Sequence, residues 1–157
     1  MPRTSHFVLD LFTLADRLAV RKRGQTMIGY ITIGAVDTAQ AKTFYDSVLA
    51  TIGWKPFADY GGYIGYGLDG ADDGQTIWIC KPYDGQPARA GNGIMIGFHA
   101  DTKDQVHVFH AAAIAANGSD EGAPGPRPDY GPNWYAAYLR DPTGNKLSIV
   151  WKKPAEA

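Results

Sequence analysis

Two stretches of this chain run through the same order of local signals, and a chain that repeats itself is restricted to folds that repeat as well. Met27-Ile28-Gly29-Tyr30-Ile31-Thr32-Ile33-Gly34 leads into a helix-like run around Phe44-Tyr45, and Asn92-Gly93-Ile94-Met95-Ile96-Gly97-Phe98 leads into a matching run around Val108-Phe109-His110. In the first copy, Ile28 to Gly34 alternates and is rich in β-branched residues, which predicts a strand with Ile31 and Ile33 on one face and Tyr30 and Thr32 on the other. Asp37 or Thr38 then caps a helix in which Ala41, Phe44, Tyr45, Val48, Leu49 and Ile52 recur at helical spacing until Gly53 stops it. Trp54 to Tyr60, Tyr63 to Leu68 and Thr76 to Lys81 follow as short strands divided by turn formers. The module reads β-α-β-β-β.

A connector rich in Pro and Gly, from Pro82 to Gly93, predicts an extended crossover. Beyond it, Ile94 to Ala100 reads as a strand, and Thr102 or Asp104 starts a helix whose buried stripe is Val106, Phe109, Ala113 and Ile114. Gly118 to Arg127 is a glycine- and proline-broken edge, and Trp134 to Arg140 and Lys146 to Trp151 are the last two strands. The expected class is α+β: two βαβββ modules, residues 27–81 and 93–152, forming a cupped mixed β-sheet with the helices outside. Each module covers one sheet face with its own helix and leaves the other open. Joining two open faces, within a chain or across a dimer, encloses the kind of concave space that small molecules occupy.

The remaining composition narrows the functions. A length of 157 residues suits one compact domain with a core of its own. With 15 basic and 16 acidic residues and no long single-sign run, neither a nucleic-acid footprint nor a polybasic membrane patch is expected. Cys80 is solitary and sits in an apolar run, which predicts a buried, inert thiol and a cytoplasmic setting. Residues 1–26 carry an apolar series from Phe7 to Val20 interrupted by Asp10, Asp16 and Arg17, which is no membrane span and no secretory signal. They are read as an appendage, helical or disordered, ahead of a domain at 27–152, with residues 153–157 as a tail. A helix packed on the domain or on a partner is the competing reading.

Beyond these patterns, several local motifs are shared with a known group. They are Phe44-Tyr45, Trp78-Ile79-Cys80-Lys81-Pro82, Gly91-Asn92-Gly93, Phe109-His110, Gly122-Ala123-Pro124-Gly125-Pro126-Arg127, and the run from Tyr135 through Arg140-Asp141-Pro142 to Gly144-Asn145. Over residues 27–152 the chain resembles the vicinal oxygen chelate superfamily, which includes glyoxalase I, extradiol dioxygenases, fosfomycin-resistance enzymes and bleomycin-resistance proteins. The resemblance implies a homodimer. It also implies where metal-using members carry their ligands: a His on strand one, a His on strand five and a Glu on strand eight, which align with Tyr30, Met95 and Ser148. A phenol, a thioether and a hydroxyl make a poor set for a hard divalent cation. No resident cofactor is therefore expected, a divalent metal being the alternative.

What remains is an aromatic, weakly polar site. Alternation places Thr32 beside Tyr30 and gives Trp134 and Tyr138 a common face, so the expected ligand-binding set is Tyr30, Thr32, Trp78, Met95, Trp134, Tyr138 and Ser148. The partner this implies is a small organic molecule, sequestered rather than transformed. For acid–base work the only candidates are His99 and Tyr30. His107 and His110 fall three apart on a helix outside the cup and lack a third ligand; Arg127 and Arg140 are candidates to meet an anion, and for Arg140 a pair with a nearby carboxylate is the competing reading. The alternative function is a glyoxalase-like lyase or dioxygenase-type metalloenzyme with non-standard ligands.

Overall fold

Alternation in Tyr30–Gly34 gives the first strand, β1, with Ile33 buried, Ile31 partly buried against the core, and Tyr30 and Thr32 exposed on the opposite face. This is the computed structural model of the chain, and it describes residues 28–72 and 74–153. The appendage read at residues 1–26 lies outside the described residues, as do Asp73 and most of the tail. The Asp37 carboxylate accepts from the backbone N–H groups of Ala39 and Gln40 and so caps helix α1 (Thr38–Ala50). That helix buries Ala41, Phe44, Tyr45, Val48 and Leu49. Gly53, at a φ of 78°, turns the chain into β2 (Trp54–Asp59). Strands β3 (Ile64–Leu68) and β4 (Thr76–Cys80) complete a sheet ordered β1-β4-β3-β2, in which β1 and β4 are parallel and the other pairs antiparallel.

The second module repeats this arrangement. Strand β5 (Ile96–His99), helix α2 (Lys103–Ala115), β6 (Ser119–Pro126), β7 (Trp134–Arg140) and β8 (Lys146–Lys152) form a sheet ordered β5-β8-β7-β6, again with one parallel pair, β5 with β8. A short 3₁₀ turn, Pro128–Tyr130, links β6 to β7. The glycines and prolines of β6 break its register with β7 twice, as suits an edge strand. Strand β5 starts two residues later than the alternation predicts, which leaves Met95 in the loop before it. Ile114 also departs from the expected stripe: Val106, Phe109 and Ala113 are buried, but Ile114 is 41% exposed, one helical position past the contact line with the sheet.

The two modules share one core. Helices α1 and α2 pack on each other, and Phe44, Val48, Phe98, Phe109, Leu139 and Ile149 belong to a single buried cluster. Full burial of side chains this size contributes roughly 1.5–3 kcal/mol each. A polar buckle reinforces the junction. Asp141, only 4% exposed, accepts from the Tyr45 hydroxyl at 2.9 Å, from the backbone N–H groups of Thr143 and Asn145, and from the Asn145 amide, which also donates to the Gly34 carbonyl. Gln105 donates to the carbonyl of Thr51 across the same junction. Among the described residues no helix is long and apolar enough to cross a membrane.

Candidate ligand-binding site

Strand register decides which side chains share each open face. On the first sheet Tyr30 pairs with Thr76, Thr32 with Trp78, Gly34 with Cys80, and Trp78 with Gly65. Since opposite residues point the same way, these form one face. Gly65 and Gly67 contribute no side chain there, and a Cβ at Gly65 would come within 2.7 Å of Phe57 and 3.0 Å of Trp78. The result is a hollow of about 270 Å³ lined by Tyr30, Thr32, Tyr63, Trp78 and Cys80. Trp78 is held in place by Phe57, edge-on at 5.4 Å, and by Tyr60, stacked at 6.3 Å and 14°. Tyr30, Tyr60 and Tyr63 remain 68%, 73% and 44% exposed, an unusual amount of bare aromatic surface on a sheet face. Cys80 is buried beneath them, and burial pushes its thiol up, away from nucleophilic chemistry.

The second sheet presents a different face. One row runs Gly97, Ser148, Tyr138, Gly122; below it His99, Val150 and Ala136 align, and at the ends Lys146 opposes Arg140 and Lys152 opposes Trp134. Cations cover its rings. The Arg127 guanidinium lies 5.2 Å from the Tyr138 centroid, Lys146 Nζ 6.0 Å from the same ring, and Lys152 Nζ 3.8 Å over Trp134. The Trp134 Nε1 is buried without a partner among the described residues. Glu121 accepts from Arg140 Nε, and from Lys146 Nζ at 2.9 Å, and these two bonds hold its carboxyl below the usual carboxylate range. Arg140 thus pairs with Glu121 rather than with its chain neighbour Asp141.

The expected ligand-binding residues therefore divide between two places. Tyr30, Thr32 and Trp78 meet in the first hollow; Tyr138 and Ser148 share a row on the other sheet, with Trp134 on the same face under Lys152. Met95 lines two further hollows at the module boundary, and Ser148 is only 1% exposed. Among the described residues none of these three hollows collects Tyr30, Met95 and Ser148, and the modules pack on each other through their helices and a shared core. The two acid–base candidates are also separated. His99 belongs to a hollow of about 360 Å³ with Ile31, Trp54, Gln75 and Ile96, which does not include Tyr30. His107 bonds the Tyr135 hydroxyl at 2.8 Å and His110 the Asp120 carboxylate at 2.7 Å, so both serve the outer surface of α2.

Tyr60 and Tyr63 escape the sequence reading, although the Tyr63-x-Gly65-x-Gly67 alternation is a usable signal: glycines at period two vacate a face, and a ring at its end borders the vacancy. The donors at the three aligned positions, a phenol, a thioether and a hydroxyl, make a poor set for a hard divalent cation, and among the described residues no three His, Cys, Asp or Glu side chains gather.

The fold is similar to that of a glyoxalase/bleomycin resistance protein from Albidiferax ferrireducens T118. The two are 36% identical over 82% of this chain and 100% of that one, with a TM-score of 0.73. The chain belongs to the glyoxalase/bleomycin resistance protein family. As such it is a member of the vicinal oxygen chelate superfamily. More distant structures carry the same fold. A glyoxalase/bleomycin resistance protein/dioxygenase family enzyme from Burkholderia phytofirmans PsJN is 21% identical over 80% of this chain and 98% of its own, with a TM-score of 0.63. TnmS3, an antibiotic binding protein from Streptomyces sp. CB03234, is 18% identical over 82% and 98%, with a TM-score of 0.57. No protein-family model matches the sequence, and neither does any curated protein. Within the family, fold and chemistry are separate questions, and the chemistry rests on the open faces.

Proposed function

We propose that this member of the glyoxalase/bleomycin resistance protein family binds a small planar organic molecule against Tyr30, Thr32, Tyr63 and Trp78, without a resident metal, as a cytoplasmic homodimer. The observation that carries this reading is the hollow on the first sheet, in which glycines make room beside a tryptophan held by two other rings. Rings fixed by packing offer contact area at little cost in conformational entropy, and the Tyr30 and Tyr63 hydroxyls supply polar handles at the rim. The metal-free part rests on donor chemistry at Tyr30, Met95 and Ser148. TnmS3 adds a fold-level analogy, since the same architecture there belongs to an antibiotic binding protein.

The homodimer accounts for two faces that one chain leaves apart. A second copy would cover rings that are otherwise exposed, and would bring the second sheet of one chain toward the first sheet of the other.

Titration with a panel of planar aromatic compounds, followed by tryptophan emission, tests the binding site. At least one compound is expected to give a saturable change that Trp78→Leu removes. Emission indifferent to every compound, or a response preserved in Trp78→Leu, refutes the assignment. Metal analysis of the purified protein tests the second part: stoichiometric metal lost on substituting Tyr30 would overturn it.

A further inference from the structure

Two more hollows share lining residues with the aromatic one or with each other. The smaller, about 190 Å³, shares Thr32 with it and adds Arg89, Ile94, Asn145 and Lys146. The larger, about 560 Å³, shares Gly91, Ile94 and Lys146 with the smaller and adds Asn92, Gly93 and Arg140. Among the described residues neither has an Asp or Glu in its lining. Arg89, Arg140 and Lys146 thus line neighbouring hollows beside the aromatic one.

Their countercharge is incomplete. Arg140 and Lys146 share a single carboxylate, Glu121. Asp141, close in the chain, is turned into the core, where Tyr45, Asn145 and two backbone N–H groups occupy it. Arg89 is exposed and makes no ion pair among the described residues. It is held at the rim by the crossover, because its neighbour Ala88 packs against Gly34 so closely that a Cβ on Gly34 would sit 3.1 Å from the Ala88 methyl. Excess positive charge along partly apolar walls is complementary to an amphipathic anion: oxyanion at the cations, carbon skeleton on Ile94, Thr32 and the rings.

We infer that the ligand is a planar organic oxyanion, a carboxylate, sulfonate or phosphate, whose charged end lies between Arg89, Lys146 and Arg140 while its ring system lies on Tyr30 and Trp78. This rests on the binding site proposed above and adds the ligand's charge and direction. Arg89 is the specificity-determining residue, since it alone of the three cations has no carboxylate partner among the described residues.

The test compares 2-naphthoate with its uncharged analogue 2-naphthamide by calorimetry at low ionic strength, in the full chain and in Arg89→Gln. Naphthoate is expected to bind about 10-fold more tightly, the advantage falling to about two-fold in Arg89→Gln and shrinking with added salt. Equal binding of acid and amide, or a preference untouched by Arg89→Gln, overturns the inference and leaves the aromatic site standing. Binding of neither compound counts against the aromatic site instead, and a second arm then decides the anion separately. Millimolar inorganic phosphate is expected to shift the guanidinium NMR signals of Arg89 and Arg140, and signals that stay in place overturn the inference.

Discussion

Asp141 shows how much one side chain can organise. It is almost fully buried and satisfied by four donors, and it joins the β7–β8 turn to α1 through the Tyr45 hydroxyl and, by way of Asn145, to the end of β1. Burial first, and the Asp141 charge second, hold the Tyr45 phenol well above its usual range, so the hydroxyl keeps its proton and donates at any ordinary pH. Tyr45→Phe is expected to destabilise the protein by about 1–2 kcal/mol, whereas Asp141→Ala, which strands several buried donors at once, should cost about 3–5 kcal/mol. Urea denaturation of the two variants checks both the values and their order. Glu121 makes a prediction of opposite character. Its carboxyl is lowered by Arg140 and then Lys146, so its contribution is complete above the ordinary carboxylate range and disappears as pH falls through the lowered value. The stability difference between the wild type and Glu121→Gln, measured by denaturation across pH, should therefore close on the acid side and also narrow in high salt. Neither role is legible in the sequence. Asp141 stands beside Arg140 and invites a local pair, and only the fold shows that the two side chains leave opposite faces of the chain.

At the level of elements, local patterns carried most of the information. Both helices, their Asp37 and Thr102 caps, and the strands Trp134–Arg140 and Thr76–Cys80 follow from apolar spacing and turn chemistry, because each carries a regular apolar pattern bounded by turn or cap residues. The late start of β5 and the outward Ile114 did not follow, since both depend on where neighbouring elements lie rather than on the segment itself. Gly118 is a comparable case. It opens the glycine-broken edge in the sequence, yet its position is fixed by contacts: an added Cβ would come within 2.8 Å of the Ala113 and Arg140 carbonyls and of the Phe44 ring. Gly118→Ala should cost about 1–3 kcal/mol by overpacking. A thermal melt that leaves the midpoint unchanged would show that β6 enters the sheet with more freedom than described.

For the molecule as a whole, the duplicated sequence pointed correctly to two βαβββ modules and to family membership. It did not show whether the open faces of the two modules meet within one chain or across two, because strand alternation assigns a face and says nothing about which faces meet. In one chain the first sheet offers bare rings and the second offers rings covered by cations. If a second copy brings these faces together, sedimentation equilibrium should return about twice the 17.0 kDa chain mass, and Tyr30→Asp should shift the protein toward monomer. An unchanged mass in Tyr30→Asp would place the interface elsewhere. The hollow beside Trp78 is tested by a crystal structure of the protein with the tightest planar compound from the fluorescence titration. That compound is expected stacked against Trp78 between Tyr30 and Tyr63; density for it at another surface, or a metal ion bonded to Tyr30, would refute the binding site.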